Sequence, residues 1–184
     1  MQWWESTVRG DDLVPVGKVL GVQPDDGDAF GLRVGTAQYS LTAPALDLWW
    51  AVRQHPSRSS LVEWGRKSKI VDADRAVEQM IKAGMLTQVD SVLGYAIHSN
   101  GWGLGASHDN NSFTIADLSL EPLCEVDGYS YLIWSLADGN VTGGDLAKVV
   151  AHDRKEDLVE VERQTKISIA KLVRFVVLEL HPRC

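Results

Sequence analysis

The sequence predicts an α+β fold of two related modules, each a short β-meander followed by a helical unit. Three observations carry that expectation. Val19-Leu20-Gly21 returns as Val92-Leu93-Gly94, Phe30-Gly31-Leu32 as Trp102-Gly103-Leu104, and Tyr39-Ser40-Leu41 as Phe113-Thr114-Ile115, each about 73 residues on. Anchors in the same order at nearly one shift are the mark of an internal duplication. Short β-rich stretches precede capped, apolar-periodic stretches in both halves. Hydrophobic content of 45% and charged content of 23% are those of a globular chain.

The first strands are Leu13 to Val16, Lys18 to Val22, Phe30 to Val34 and Gln38 to Leu41, with Pro24-Asp25-Asp26-Gly27-Asp28 as a turn. Thr42-Ala43-Pro44 opens a helix, because Thr accepts an orphan N–H and Pro suits an early helical position. Pro56 stops that helix, and Ser60 with Glu63 forms a capping box for the next, Leu61 to Lys67. Asp72 caps a third, in which Ala73, Ala76, Val77, Met80 and Ile81 make one apolar face and Gly84 ends it. Met85 to Val89 reads as a strand.

In the second half, Gly94 to His98 and Trp102 to Gly105 suggest a hairpin around Ser99-Asn100-Gly101. Phe113 to Ala116 is a further strand, and 116–126 reads as a link without counterpart in the first copy. Trp49 corresponds to Trp134 at a shift of 85, so the link would account for about eleven added residues. Tyr129 to Leu136 is helical, Asp138-Gly139 closes it, and Thr142 with Asp145 caps Gly143 to His152. From Asp157 to Leu180 the spacing is helical, either unbroken or divided near Ser168, with Phe175 to Leu180 also a strand candidate. The domains expected are 1–116, the first meander, helices and wing, and 117–184, a second helical module borrowing strands from 92–116.

Charge is distributed unevenly. The net charge is −7. From Arg53 to Lys82 seven Lys/Arg face four Asp/Glu, a local excess of +3. From Ala83 to Ala147 there are eight Asp/Glu and no Lys or Arg. No apolar run approaches the roughly 20 residues of a membrane helix, and Met1-Gln2-Trp3-Trp4-Glu5 lacks the form of a secretory signal. A cytoplasmic protein without membrane contact is expected.

The block Ala45 to Val89 runs helix, short helix, link, amphipathic helix, then Lys82-Ala83-Gly84-Met85-Leu86-Thr87-Gln88-Val89. It resembles the helix-turn-helix and wing of winged helix-turn-helix proteins over about a quarter of the chain. That resemblance implies a recognition helix lying in the major groove. The exposed face of the third helix would be Asp74, Arg75, Glu78, Gln79 and Lys82. Arg75 would reach guanine and Gln79 adenine, with Arg58, Arg66, Lys67 and Lys69 near phosphates. The candidate nucleic-acid-binding set is therefore Arg58, Arg66, Lys67, Lys69, Arg75, Gln79 and Lys82. The chain departs from the pattern at Asp72 and Asp74, which would meet phosphate, and in a wing region, Leu86 to Ala116, without Lys or Arg.

Catalytic and metal chemistry is not expected. His108-Asp109 and His152-Asp153 lack accompanying ligands, and Gly101-Trp102-Gly103-Leu104-Gly105 lacks the Lys-Ser/Thr ending of a phosphate loop. Cys124 and Cys184 have no metal-type spacing. No catalytic residue, cofactor or metal is assigned. The expected function is a non-enzymatic, winged-helix-type transcription regulator binding double-stranded DNA, as a possible homodimer. The alternative is an acidic adaptor or chaperone that uses the same fold, with 83–147 gripping a basic or apolar protein segment.

Overall fold

The structure is a computed structural model and describes residues 7–23, 29–107 and 112–183. The fold is α+β, and the chain divides into two compact units at Val89/Asp90. The division falls before the expected boundary at Ala116, so the strands between them belong wholly to the second unit. The Pro24–Asp28 turn, His108-Asp109, Trp3, Trp4 and Cys184 lie outside the described residues.

Unit 1 opens with β1 (Leu13–Pro15), β2 (Lys18–Val22), β3 (Phe30–Val34) and β4 (Ala37–Leu41). Strands β2, β3 and β4 form one antiparallel sheet. Helices α1 (Ala43–Ala51), α2 (Arg58–Lys67) and α3 (Ala73–Lys82) follow, then β5 (Leu86–Gln88), which pairs antiparallel with β1. Ser57, not Ser60, is the N-cap of α2, its hydroxyl accepting from the Ser60 N–H at 3.1 Å. Ser, three residues earlier than expected, satisfies an otherwise orphan donor.

Unit 2 repeats the order with one further strand between its first two helices. A 3-10 turn (Val89–Gly94) leads to β6 (Ala96–Ser99), then β7 (Trp102–Ala106), β8 (Phe113–Ala116) and β9 (Pro122–Val126). Next come α4 (Gly128–Leu136), β10 (Asp138–Thr142), α5 (Gly143–Arg154), α6 (Leu158–Arg174) and β11 (Leu178–His181). Strands β7, β8 and β9 form one sheet, and β10, β6 and β11 another. Thus β6 and β7 lie in different sheets, and the hairpin expected around Asn100-Gly101 does not form. Gly101, at φ +88°, sits against the Ala116 carbonyl oxygen and turns the chain from one sheet into the other.

The duplication is real, but its shift is 83–85 residues rather than 73. Lys18–Val22 matches Trp102–Ala106, a difference of 84, and Ala43–Ala51 matches Gly128–Leu136, a difference of 85. The helix N-cap positions Thr42, Ser57 and Asp72 match Asp127, Thr142 and Asp157, each at 85, but contrary to expectation the Thr42 and Asp72 side chains accept no capping hydrogen bond. Both first hairpins slip register at the same place, between Val19 and Gly21 and between Gly103 and Gly105. The 116–126 segment therefore holds β9, the counterpart of β4, and no link was inserted. Val92-Leu93-Gly94 lies in the 3-10 turn and is not a strand.

Core positions match at offsets of 83 to 85. Leu13, Leu32, Leu48 and Leu61 in unit 1 correspond to Ile97, Ile115, Ile133 and Leu146, all buried. An indole locks each unit in the same way. Trp49 Nε1 donates to the Met85 carbonyl at 3.0 Å, and Trp134 Nε1 to the Val177 carbonyl at 3.0 Å. Each accepting residue stands just before the closing strand. Trp50 is exposed, its ring edge-on to Trp49 at 5.3 Å, and Arg53 lies over both rings.

Helix α6 runs unbroken through Ser168 and is followed by a strand, which resolves the two readings of 157–180. Ser168 is buried and accepts from Ser130 Oγ at 3.1 Å. Tyr129 Oη and Thr165 Oγ1 share a hydrogen bond of 2.8 Å nearby. Paired in this way, the hydroxyls sit in the α4–α6 contact without an unsatisfied donor. No helix among the described residues is long and apolar enough to cross a membrane.

Candidate functional site

The cationic segment lies on α2 and α3. Burial of Ala73, Val77 and Met80 turns the opposite face of α3 outward. Asp74, Arg75, Gln79 and Lys82 are exposed and Glu78 is half-buried, the face expected from the periodicity. Much of its charge is neutralised within the unit. Arg58 Nη2 bonds Glu78 Oε2 at 2.9 Å and Asp74 Oδ1 at 3.2 Å. Lys82 Nζ reaches Glu78 Oε1 at 3.0 Å, and Lys67 Nζ reaches Glu63 Oε1 at 2.7 Å. The hydrogen bonds from Lys82 and then Arg58 hold the Glu78 carboxyl below its ordinary range. The bonds to Glu78 and then Asp74 raise the Arg58 guanidinium in turn. These are solvent-exposed pairs, so they redirect charge more than they stabilise the fold.

Arg66, Lys69 and Arg75 are exposed and form no ion pair with the described residues. Lys69 stands at φ +61° in the α2–α3 connection. The expected wing is not a single element. Leu86–Gln88 pairs with β1 inside unit 1, while β6, β7 and β8 belong to unit 2.

A second surface is built by the sheet β7–β8–β9. On its inner side Ile115 is buried, Phe113 stacks on Tyr131 at 4.6 Å, and Gly103 lies against Tyr131 and Trp134. Trp102, one residue from the inner Gly103, faces the outer side, and Leu104 and Leu123 stand unpaired at the two register slips of the sheet. Trp102 is 56% exposed, and Leu104 and Leu123 are 47% each. The β8–β9 loop adds Leu118 and Leu120, 81% and 59% exposed. Asp117 fixes that loop, its Oδ1 accepting from the Ser119 N–H at 2.8 Å and the Glu121 N–H at 3.0 Å. The charged side chains described on this sheet and loop, Asp117, Glu121 and Glu125, are all acidic.

Unit 1 serves as an internal control for this face. At the 84–85 offset, Lys18 stands where unit 2 has Trp102, and Gln38 where it has Leu123. The same fold is made with a cation and an amide there, so folding does not demand Trp102 or Leu123, whereas Leu20 keeps an exposed leucine at the place of Leu104. Sequence reasoning registered this surface only as a stretch without Lys or Arg. The signal that finds it is the comparison of the two copies in the correct register.

Burial pushes the Cys124 thiol up to about 12, which leaves it protonated and unreactive. Among the described residues no group of three His, Cys, Asp or Glu is placed to hold a metal ion. Comparison with models of protein families, with curated proteins and with solved structures finds no match for this chain.

Proposed function

We propose that the protein is a non-catalytic adaptor that holds a protein segment carrying basic and apolar side chains on the outer face of β7–β8–β9. The observation that carries the reading is the exposure of Trp102, Leu104, Leu118, Leu120 and Leu123 on one small sheet and its β8–β9 loop, whose charged residues Asp117, Glu121 and Glu125 are all acidic. Contiguous apolar surface rimmed by charge marks interaction sites on soluble proteins. Tryptophan is among the residues that dominate interface energetics. An all-acidic rim favours Lys and Arg on the partner and disfavours nucleic acid at this face.

The test restores unit 1 chemistry. A fluorescent peptide alternating Lys and Leu should bind the protein, while one alternating Glu and Leu should not. Trp102→Lys with Leu123→Gln should weaken the Lys/Leu peptide by about 2 kcal/mol, roughly thirtyfold, the cost of losing a tryptophan anchor. Because Lys18 and Gln38 occupy the same positions in unit 1, the variant should fold. Unchanged anisotropy titrations would remove this face from the function.

A second reading, a DNA-binding transcription regulator, is favoured by Arg66, Lys69 and Arg75, which keep their charge free of carboxylates among the described residues. In that reading, affinity for a random duplex falls steeply with salt, and Arg66→Glu, Lys67→Glu and Lys69→Glu together abolish it. Absence of binding even at low ionic strength would remove it. Of the seven residues named for DNA contact, Arg58, Lys67 and Lys82 are already paired, which is why the adaptor reading stands first.

A further inference from the structure

Helices α4 and α5 of unit 2 border a cleft of about 440 Å³. That volume is within the range of small-molecule sites. Leu132 and Leu136, one turn apart on α4, line it together with Val149 of α5. Leu136 and Val149 are 40% and 60% exposed, so the cleft is an apolar surface open to solvent. Its rim carries Lys148, His152 and Arg154, and Asp153 is the only carboxylate among the described residues lining it.

The rim cations are lightly committed. Lys148 Nζ is 3.7 Å from Asp145 Oδ1, a long and exposed contact. Arg154 lies over the Tyr129 ring at 5.4 Å and pairs with no carboxylate among the described residues. Both stand on one helix, with Arg154 in its last turn, where the carbonyl end favours a cation.

The duplication again isolates what is particular to this place. At the 85-residue offset, Leu132 corresponds to Asp47, Leu136 to Ala51, Lys148 to Glu63 and Val149 to Trp64. Unit 1 keeps two exposed acids where unit 2 has a leucine and a lysine. The α1–α2 pair thus lacks the two leucines and has an acid in place of Lys148, while Lys67 and Lys69 hold the places of His152 and Arg154 and Trp64 that of Val149. The leucines and Lys148 are therefore particular to unit 2 and are not required by the helix pair.

We propose that the α4–α5 cleft binds an amphipathic monoanion, a medium-chain alkyl carboxylate. The chain lies on Leu132, Leu136 and Val149, and the carboxylate faces Lys148 and Arg154. Apolar contact supplies most of the affinity. The two cations select the sign of the head group.

Calorimetric titration of the whole chain with decanoate, below the concentration at which it forms micelles, tests this. Saturable binding of one decanoate is expected, with decan-1-ol weaker and decyltrimethylammonium weakest. Lys148→Glu with Arg154→Glu should weaken decanoate at least about fivefold, as reversal of two exposed charges implies. Leu132→Asp, which copies unit 1, should remove binding while the circular dichroism spectrum is kept. Absence of saturable binding would overturn the proposal, and so would equal affinity for the cationic amphiphile or an unchanged affinity in the double charge variant. Retention on phosphatidylglycerol vesicles without binding of free decanoate would also overturn it, placing a membrane surface where the free amphiphile was assigned.

Discussion

Trp134→Ala is expected to destabilise the protein by about 3–5 kcal/mol, the range for removing a large buried aromatic. Trp134 is 8% exposed and packs beside Tyr131, with ring centroids 5.5 Å apart. Its Nε1 donates to the Val177 carbonyl at 3.0 Å and to the Asn100 carbonyl at 3.2 Å. One side chain on α4 thus ties together the exit of β6 and the entry of β11, segments far apart in sequence. Trp134→Phe separates the two contributions. The ring volume is largely kept, and the Val177 carbonyl retains the Asn100 N–H at 2.9 Å. Phenylalanine should therefore cost only about 1–2 kcal/mol, a hydrogen bond plus imperfect filling. Urea unfolding followed by far-ultraviolet circular dichroism measures both. A loss below about 1 kcal/mol for alanine would show that the indole is not the anchor of the unit. Trp49 makes the matching bond to Met85 at 3.0 Å and is 2% exposed, so Trp49→Ala should behave alike.

The tryptophan pair also shows what could be read from the chain. Trp49 and Trp134 gave the true offset of 85, because a large aromatic at a helix position has few imitators. The offset of 73 came from Val-Leu-Gly and Phe-Gly-Leu triplets. In a meander each strand has the same alternating, glycine-interrupted composition, so triplets match as readily one strand out of register as in it. Cap positions were legible to within a turn, but the bonds were not: Ser57 rather than Ser60 caps α2, and Thr42 and Asp72 make no side-chain cap. The pairing of β1 with β5 was not legible. Leu13 meets Gln88 through contacts spanning the whole unit, and neither residue carries a local sign of the other.

The candidate sites divide along the same line. The outward face of α3 followed from helical periodicity and was found where periodicity put it. The neutralisation of Arg58 was not foreseeable, because its partners Asp74 and Glu78 lie 16 and 20 residues away on another helix. The apolar outer face of β7–β8–β9 needed the correct register. Trp102 reads as a sheet residue like any other until Lys18 is seen to occupy its place in the first unit.

Gly101→Ala is expected to be the most damaging small substitution in unit 2, at about 3 kcal/mol or more. Two costs combine. At φ +88° an L side chain is strained, which alone amounts to about 1–2 kcal/mol. The added Cβ would also press into the carbonyl oxygen of Ala116. That atom cannot easily yield, because Ala116 is paired with both Trp102 and Pro122 in the central strand of the sheet. Gly105 supplies the control. It has nearly the same backbone, φ +91°, but an added Cβ there meets nothing within 4 Å. Gly105→Ala should therefore cost only the conformational part, about 1 kcal/mol. Unit 1 contains the same contrast, with Gly17 at φ +97° pressed against the Arg33 carbonyl and Gly21 at φ +91° in open space. If all four alanine variants lost the same stability, the positive φ alone would be responsible. If Gly101 and Gly17 lost clearly more than Gly105 and Gly21, the turn from one sheet into the next is a steric requirement that both copies retain.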